Sequence, residues 1–162
     1  MIKCSVVMTK DPTCCLPSDS VSSAARLMRE ENVGSLPVIE TLESKKLVGI
    51  ITDRDLAIQV VANVCDSRTP MVADVMTRQV VTCRADDDLK KALDAMGEHQ
   101  LRRIPVVDDD NRIVGIISQA DIATRIDEPE ETAQVVKEIS QPEVKLTPDA
   151  SQGHQEKPES MR

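Results

Sequence analysis

The amino-acid sequence carries two copies of one pattern, and this duplication limits the available folds more than any other feature. Val7-Met8-Thr9 recurs as Val75-Met76-Thr77, 68 positions on. At the same offset Cys15 matches Cys83, Asp19 matches Asp87, Val21 matches Leu89 and Met28 matches Met96. Leu36-Pro37-Val38-Ile39 likewise matches Ile104-Pro105-Val106-Val107. The run Val48-Gly49-Ile50-Ile51-Thr52-Asp53-Arg54-Asp55-Leu56 then matches Val114-Gly115-Ile116-Ile117-Ser118-Gln119-Ala120-Asp121-Ile122 at an offset of 66, so the intervening turn is two residues shorter in the second copy. A chain of 162 residues therefore holds two small repeats and a remainder.

Each copy reads as strand, helix, strand, strand, helix. Short β-branched or apolar runs at 13–16 and 80–83 suit a first strand. Asp19 or Ser20 can cap the helix that follows, and 86–88 place acids at the start of its counterpart. Val21, Ala24, Ala25 and Met28 fall at helical spacing, as do Leu89, Ala92, Leu93 and Met96. Strands are expected at 36–40 and 104–108, each beside a proline that suits an edge or a strand start. The uniformly apolar runs 47–52 and 113–118 suggest strands covered on both faces, and 53–62 and 119–126 are the closing helices. The organisation expected is a first repeat at 5–62, a linker at 63–73, a second repeat at 74–126, a C-terminal helix at 127–139 after Pro129, and a disordered, proline-punctuated tail at 140–162.

Composition narrows the function. Phe, Trp and Tyr are absent, so no aromatic platform exists for stacking bases, and the net charge is −8. Five of those negative charges fall in 127–162, leaving −3 on 1–126. An acidic surface does not attract a phosphate backbone, so nucleic acid is not an expected partner. No apolar run reaches the length of a membrane span and no signal peptide opens the chain. Cys4, Cys14, Cys15, Cys65 and Cys83 form no CxxC pair, and with two histidines a His-rich metal site is not expected. A reduced, cytoplasmic protein without metal or cofactor fits best.

The segments Gly49-Ile50-Ile51-Thr52-Asp53-Arg54-Asp55 and Gly115-Ile116-Ile117-Ser118-Gln119-Ala120-Asp121, with Val33-Gly34-Ser35-Leu36-Pro37-Val38-Ile39 and Leu101-Arg102-Arg103-Ile104-Pro105-Val106-Val107, resemble CBS domains. The resemblance covers about 5–126 and implies a tandem pair, or Bateman module, similar to bacterial stand-alone CBS proteins. It implies an α/β (α+β) fold in which two repeats pack through their sheets about a pseudo-twofold axis and leave two clefts. It also implies adenosine ligands in those clefts (AMP, ADP, ATP or S-adenosylmethionine) and a homodimer.

Residue chemistry can be set beside that implication. A hydroxyl residue at a strand end and an Asp three residues later can converge on one ligand, the carboxylate accepting from two ribose hydroxyls. Thr52 with Asp55 and Ser118 with Asp121 fit ribose recognition, and a helix start adds N–H donors for phosphate. The bland reading is helix capping by Thr52 and Ser118, which leaves the repeated Asp without a role. Arg102 and Arg103 are candidates for phosphate, against a solvated or salt-bridged pair, and strand geometry sends at most one into the cleft. Arg54 can approach phosphate or pair with a nearby acid. The adenine slot falls to Thr13 and Cys14 in one copy and Val80, Val81 and Thr82 in the other, with Ile50 and Ile116 packing its faces.

Two competing classes stand beside the regulatory, non-enzymatic nucleotide binder. One is a structural or protein-interaction CBS dimer with empty clefts, redox-modulated through its cysteines. The other is a small enzyme or thiol redox protein, for which no nucleophile–base pair or metal-ligand set is visible. His99, at a helix end, and the matched Met28 and Met96 read as structural residues.

Overall fold

The computed structural model of the chain describes residues 1–62, 70–126 and 129–141. In each repeat a ten-residue helix precedes an antiparallel hairpin. Helix α2, Val21–Glu30, starts at Ser20, whose hydroxyl accepts the Ser23 N–H at 3.1 Å. Its counterpart α5, Leu89–Glu98, starts at Asp88, which accepts the Lys90 N–H at 3.2 Å. Asn32 and Gln100 follow these helices at φ 52° each, the left-handed turn that ends a helix. The hairpins pair β2, Ser35–Ile39, with β3, Leu47–Thr52, and β5, Arg103–Val107, with β6, Ile113–Ser118. Both shift register at the same place, between Val38 and Ile39 and between Val106 and Val107.

The first strands are shorter than the sequence suggests. The run 13–16 contributes a single parallel bridge, Cys15 to Val38, and 80–83 contributes β4, Cys83–Arg84, parallel to β5. Cys15 donates to the Pro37 carbonyl and accepts from Ile39 N–H, both at 3.0 Å. The next bond toward the N-terminus would need an N–H from Pro37, or from Pro105 in the second copy, and proline has none. Strands β3 and β6 also differ from expectation. They alternate between buried and half-buried residues, because one face packs on its helix while Ile50 and Ile116 lie on the other.

Each repeat begins with a leader that crosses to the other repeat. Helix α1, Cys4–Val7, and strand β1, Thr9–Lys10, dock on the second repeat, where β1 pairs antiparallel with β6. Cys4 N–H donates to Asp87 O at 3.0 Å, Ser5 N–H to Ala85 O at 2.9 Å and Leu89 N–H to Ile2 O at 2.8 Å. The second leader, helix α4 at Val72–Val75, repeats the pattern on the first repeat: Val72 N–H to Asp19 O at 2.8 Å, Ala73 N–H to Pro17 O at 3.0 Å and Val21 N–H to Pro70 O at 3.1 Å. Thr77 then bridges Ile50 as Thr9 pairs with Ile116. The segment expected as a linker, 63–73, therefore ends inside a docked helix, because Val72 is fully buried; 63–69 lie outside the described residues.

The cores follow this exchange. Cys4, Val7 and Met8 join Leu89, Leu93, Met96, Ile104 and Ile117 of the second repeat. Val72 and Met76 join Ala24, Met28, Leu36 and Ile51 of the first. A third cluster, Ile39, Leu47, Val107 and Ile113, lies between the repeats. There Leu47 N–H donates to Asn111 O at 3.0 Å and Ile113 N–H to Lys45 O at 2.9 Å, a reciprocal pair that marks the pseudo-twofold axis. Each fully buried Ile or Leu contributes about 1.5–3 kcal/mol.

The closing helices differ. In the second repeat α6 runs Gln119–Arg125; in the first, α3, Asp53–Asp55, continues into a wider π-type turn over Leu56–Val60. Helix α7, Pro129–Ile139, packs on α5 and α6 and buries Val135 and Ile139. This explains a departure from the expected helix faces: Leu93 is buried beneath that packing, whereas Ala25, its counterpart on α2, is exposed. Of the expected tail, 142–162 lie outside the described residues.

Candidate functional site

Both strand-to-helix corners are capping boxes. The Thr52 hydroxyl accepts the Asp55 N–H at 3.1 Å while Asp55 Oδ2 accepts the Thr52 N–H at 2.9 Å. At the second corner the Ser118 hydroxyl accepts the Asp121 N–H at 3.2 Å, and Asp121 Oδ2 accepts the Ser118 N–H at 2.8 Å and O–H at 2.6 Å. Two orphan amides at each helix start are satisfied reciprocally. The duplicated Asp thus has a structural role after all, contrary to the reading that capping explains the hydroxyl alone.

Asp121 has further partners. Its Oδ1 accepts the Thr9 hydroxyl at 3.2 Å and lies 3.4 Å from Arg125 Nη2. Arg125 also donates to the Val7 carbonyl at 2.7 Å and to the Thr9 hydroxyl at 3.4 Å. The leader of the first repeat and the closing helix of the second thereby meet on one carboxylate, whose side chain is 12% exposed.

This corner opens on a cleft of about 950 Å³ between the repeats. Of the residues singled out from sequence, Thr13, Arg102, Arg103, Ser118 and Asp121 line it. Arg103 reaches toward the first repeat: a Cβ on Gly34 would stand 2.8 Å from its Nη2 and 2.9 Å from Asp53 Oδ2. Ile116, assigned to pack the adenine, is also in the wall.

Thr52, Arg54, Asp55, Cys14, Val80, Val81 and Thr82 do not line this cleft. Thr52 and Asp55 sit at the pseudo-twofold counterpart of the Ser118 corner, and Arg54 is exposed. Cys14 and Val80 pack instead on the apolar cluster between the repeats, with Cys14 Sγ donating to the Pro12 carbonyl at 3.1 Å. Val81 packs on the second core, and Thr82 is half-buried. For Cys14, Val80 and Val81 the apolar clusters claim side chains that the sequence assigned to an adenine slot.

Sequence reasoning missed Thr9, Gly34, Ser35, Gln119, Ala123 and Val136 in the cleft wall. Thr9 had a signal, the repeated Val-Met-Thr. Val136 had none, because nothing local says that α7 folds back beside the cleft.

Cys14 and Cys15 are poor nucleophiles. Burial pushes the Cys14 thiol up to about 11 and the Cys15 thiol up to about 12, so both are protonated at neutral pH. Cys4 and Cys83 meet in the second core, where their shared hydrogen bond lowers the pKa of Cys4 and raises that of Cys83. Cys65 lies outside the described residues. Among the described residues no group of three or more His, Cys, Asp or Glu could hold a metal ion, and no helix is long and apolar enough to cross a membrane.

Two repeats with exchanged leaders, capped corners and a cleft between them define a class. The family model for the CBS domain matches residues 3–61 and 72–128, and the chain belongs to that family as a tandem pair. Hypoxic response protein 1 of Mycobacterium tuberculosis (strain H37Rv) is 33% identical over 136 residues, 84% of this chain and 92% of that protein. The CBS domain pair of protein MJ0100, in complex with 5'-methylthioadenosine and S-adenosyl-L-methionine, is 30% identical with a TM-score of 0.68 over 76% of this chain and 94% of that one. CBSX2 in complex with AMP is 27% identical with a TM-score of 0.68 over 85% of this chain and 99% of that one.

Proposed function

We propose that this CBS pair is a regulatory, non-enzymatic module that binds an adenosine nucleotide (AMP, ADP, ATP or S-adenosylmethionine) between its repeats. The observation that carries the reading is the convergence of Ser118, Asp121, Arg102, Arg103 and Thr13 on one cleft. Asp121 serves the ribose hydroxyls, an arginine serves phosphate, and Ile116 with the Thr13 segment forms the base slot. With no aromatic ring to stack on, affinity rests on burial and hydrogen bonds and is micromolar or weaker. The Thr52–Asp55 corner, with Arg54 and Val80, Val81 and Thr82, serves the pseudo-symmetric cleft. Exposed Ile58, Val61 and Met71 offer apolar surface for a homodimer. The free thiols of Cys4, Cys14, Cys15 and Cys83 suit a reducing compartment such as the cytoplasm.

Titration calorimetry with AMP, ADP, ATP and S-adenosylmethionine tests the reading. Binding heat with at least one ligand is expected, lost or weakened at least tenfold in Asp121→Ala. Absence of heat with all four, or equal affinity in Asp121→Ala and Asp55→Ala and the unaltered chain, rejects it. A second reading, an interaction module with empty clefts, draws support from the capping boxes, which give every corner hydroxyl and carboxylate a structural partner. It predicts that none of the four ligands raises the melting temperature, as any ligand bound to the folded state must.

A further inference from the structure

An ionised carboxylate offers about four acceptor positions. At Asp121 three are taken by hydrogen bonds, from Ser118 N–H and O–H on Oδ2 and from Thr9 O–H on Oδ1, and the Arg125 guanidinium stands 3.4 Å from Oδ1 as an ion pair. Asp55 differs. Among the described residues its carboxylate accepts the Thr52 N–H at 2.9 Å and no second donor, and the counterpart of Arg125 is Gln59. The two extra partners of Asp121 both lead to the same place. Thr9 lies in the leader of the first repeat, and Arg125 holds that leader again through the Val7 carbonyl at 2.7 Å.

We propose that Thr9 and Arg125 form a latch on Asp121, so that a ligand offering a vicinal diol takes Oδ1 from the Thr9 hydroxyl and thereby loosens the first leader from the second repeat. The inference rests on the nucleotide reading above and adds the regulation of that site. A vicinal diol brings two donors to a carboxylate with one acceptor position left, so both hydroxyls can reach Asp121 only if a present donor leaves. Thr9 O–H is the donor that faces the cleft, since Thr9 itself lines it. The backbone pairs Thr9 to Ile116 and Lys10 to Gly115 persist, so the change is local fraying of α1 and its junction with β1 and not detachment. Occupancy of the cleft is thus reported at the N-terminal segment.

Hydrogen exchange of the full chain, followed in peptides covering residues 2–11, tests the latch alongside calorimetry. The probes are AMP and S-adenosylmethionine, both of which carry a free ribose diol. Whichever gives heat is expected to speed exchange in that segment several-fold. Thr9→Val, which has no hydroxyl to displace, binds the same probe roughly tenfold more tightly, the equivalent of one hydrogen bond. Its leader exchanges faster before ligand is added and changes little afterwards. Thr9→Ser keeps the hydroxyl and behaves as the unaltered chain, which separates the latch from a packing effect at this position. Binding heat with unchanged or slowed exchange at 2–11, or Thr9→Val binding no more tightly, overturns the latch and leaves the nucleotide reading standing. No heat with either probe in any variant overturns the latch, and the same silence from ADP and ATP overturns the nucleotide reading with it.

Discussion

The Asp87 carboxylate accepts the Arg84 N–H at 2.8 Å and lies 3.2 Å from the Lys91 ammonium. The backbone bond from Arg84, and then Lys91, hold its pKa below the usual carboxylate range. A folded-state pKa lowered in this way stabilises the fold at neutral pH, and the contribution is lost as pH falls through the lowered value. Asp87→Asn is therefore expected to cost about 1 kcal/mol at pH 7 and to flatten the acid side of a stability-against-pH profile. Denaturant titrations between pH 2 and pH 7 check this; parallel profiles for the two proteins would contradict it. At this scale the sequence was legible wherever the partner is near in the chain. Thr52 and Ser118 were recognisable as caps from position alone, whereas the sequence left Asp19 or Ser20 open for α2 and offered 86–88 for α5, where Ser20 and Asp88 are the caps. The Thr9–Asp121 bond was not, since it joins residues 112 apart.

Among the elements, β3 and β6 occupy the runs expected of them, because a bulk apolar stretch ended by a capping hydroxyl has little freedom in where it stops. The first strands were overread because a β-branched run does not reveal that a proline on its neighbour withholds the next ladder bond. The glycine in each central strand was equally silent, yet it is what admits the leader. A Cβ at Gly49 would stand 2.9 Å from the Thr77 carbonyl and 2.8 Å from Met76 Sδ, and one at Gly115 would stand 3.1 Å from the Thr9 carbonyl and would strike Met8. Gly49→Ala is expected to cost about 1–3 kcal/mol, as overpacking against backbone does, and Gly115→Ala less, since a methionine can turn aside at either site while the carbonyl is the closer at Gly49. Thermal melts of the two variants give the order. A smaller loss for Gly49→Ala would show that the leaders dock more loosely than their hydrogen bonds indicate.

For the molecule as a whole, the repeat and its family were legible, but the crossing of the leaders was not. Cys4 to Met8 carry no periodicity that says which core they enter, and that choice depends on contacts some eighty residues away or more. Removing residues 1–11 strips Cys4, Val7 and Met8 from the second core while leaving every residue of the first core in place. A loss of several kcal/mol is expected, a large part of the stability of a domain this size. Circular dichroism should then show a lower melting temperature and a broadened transition as the second repeat gives way first. An unchanged single transition would mean that the leader rests on the second core without supporting it.

The mutual seating of the leaders also bears on how such a chain can change over generations. A gene that lost either half would strand the surviving half's own first segment and leave an open gap where the missing one had sat. Recombination that trades one copy for a foreign one meets the same obstacle on both sides of the axis. The pair is therefore the smallest heritable unit of this fold, and divergence between its halves must proceed by substitution within an inseparable couple.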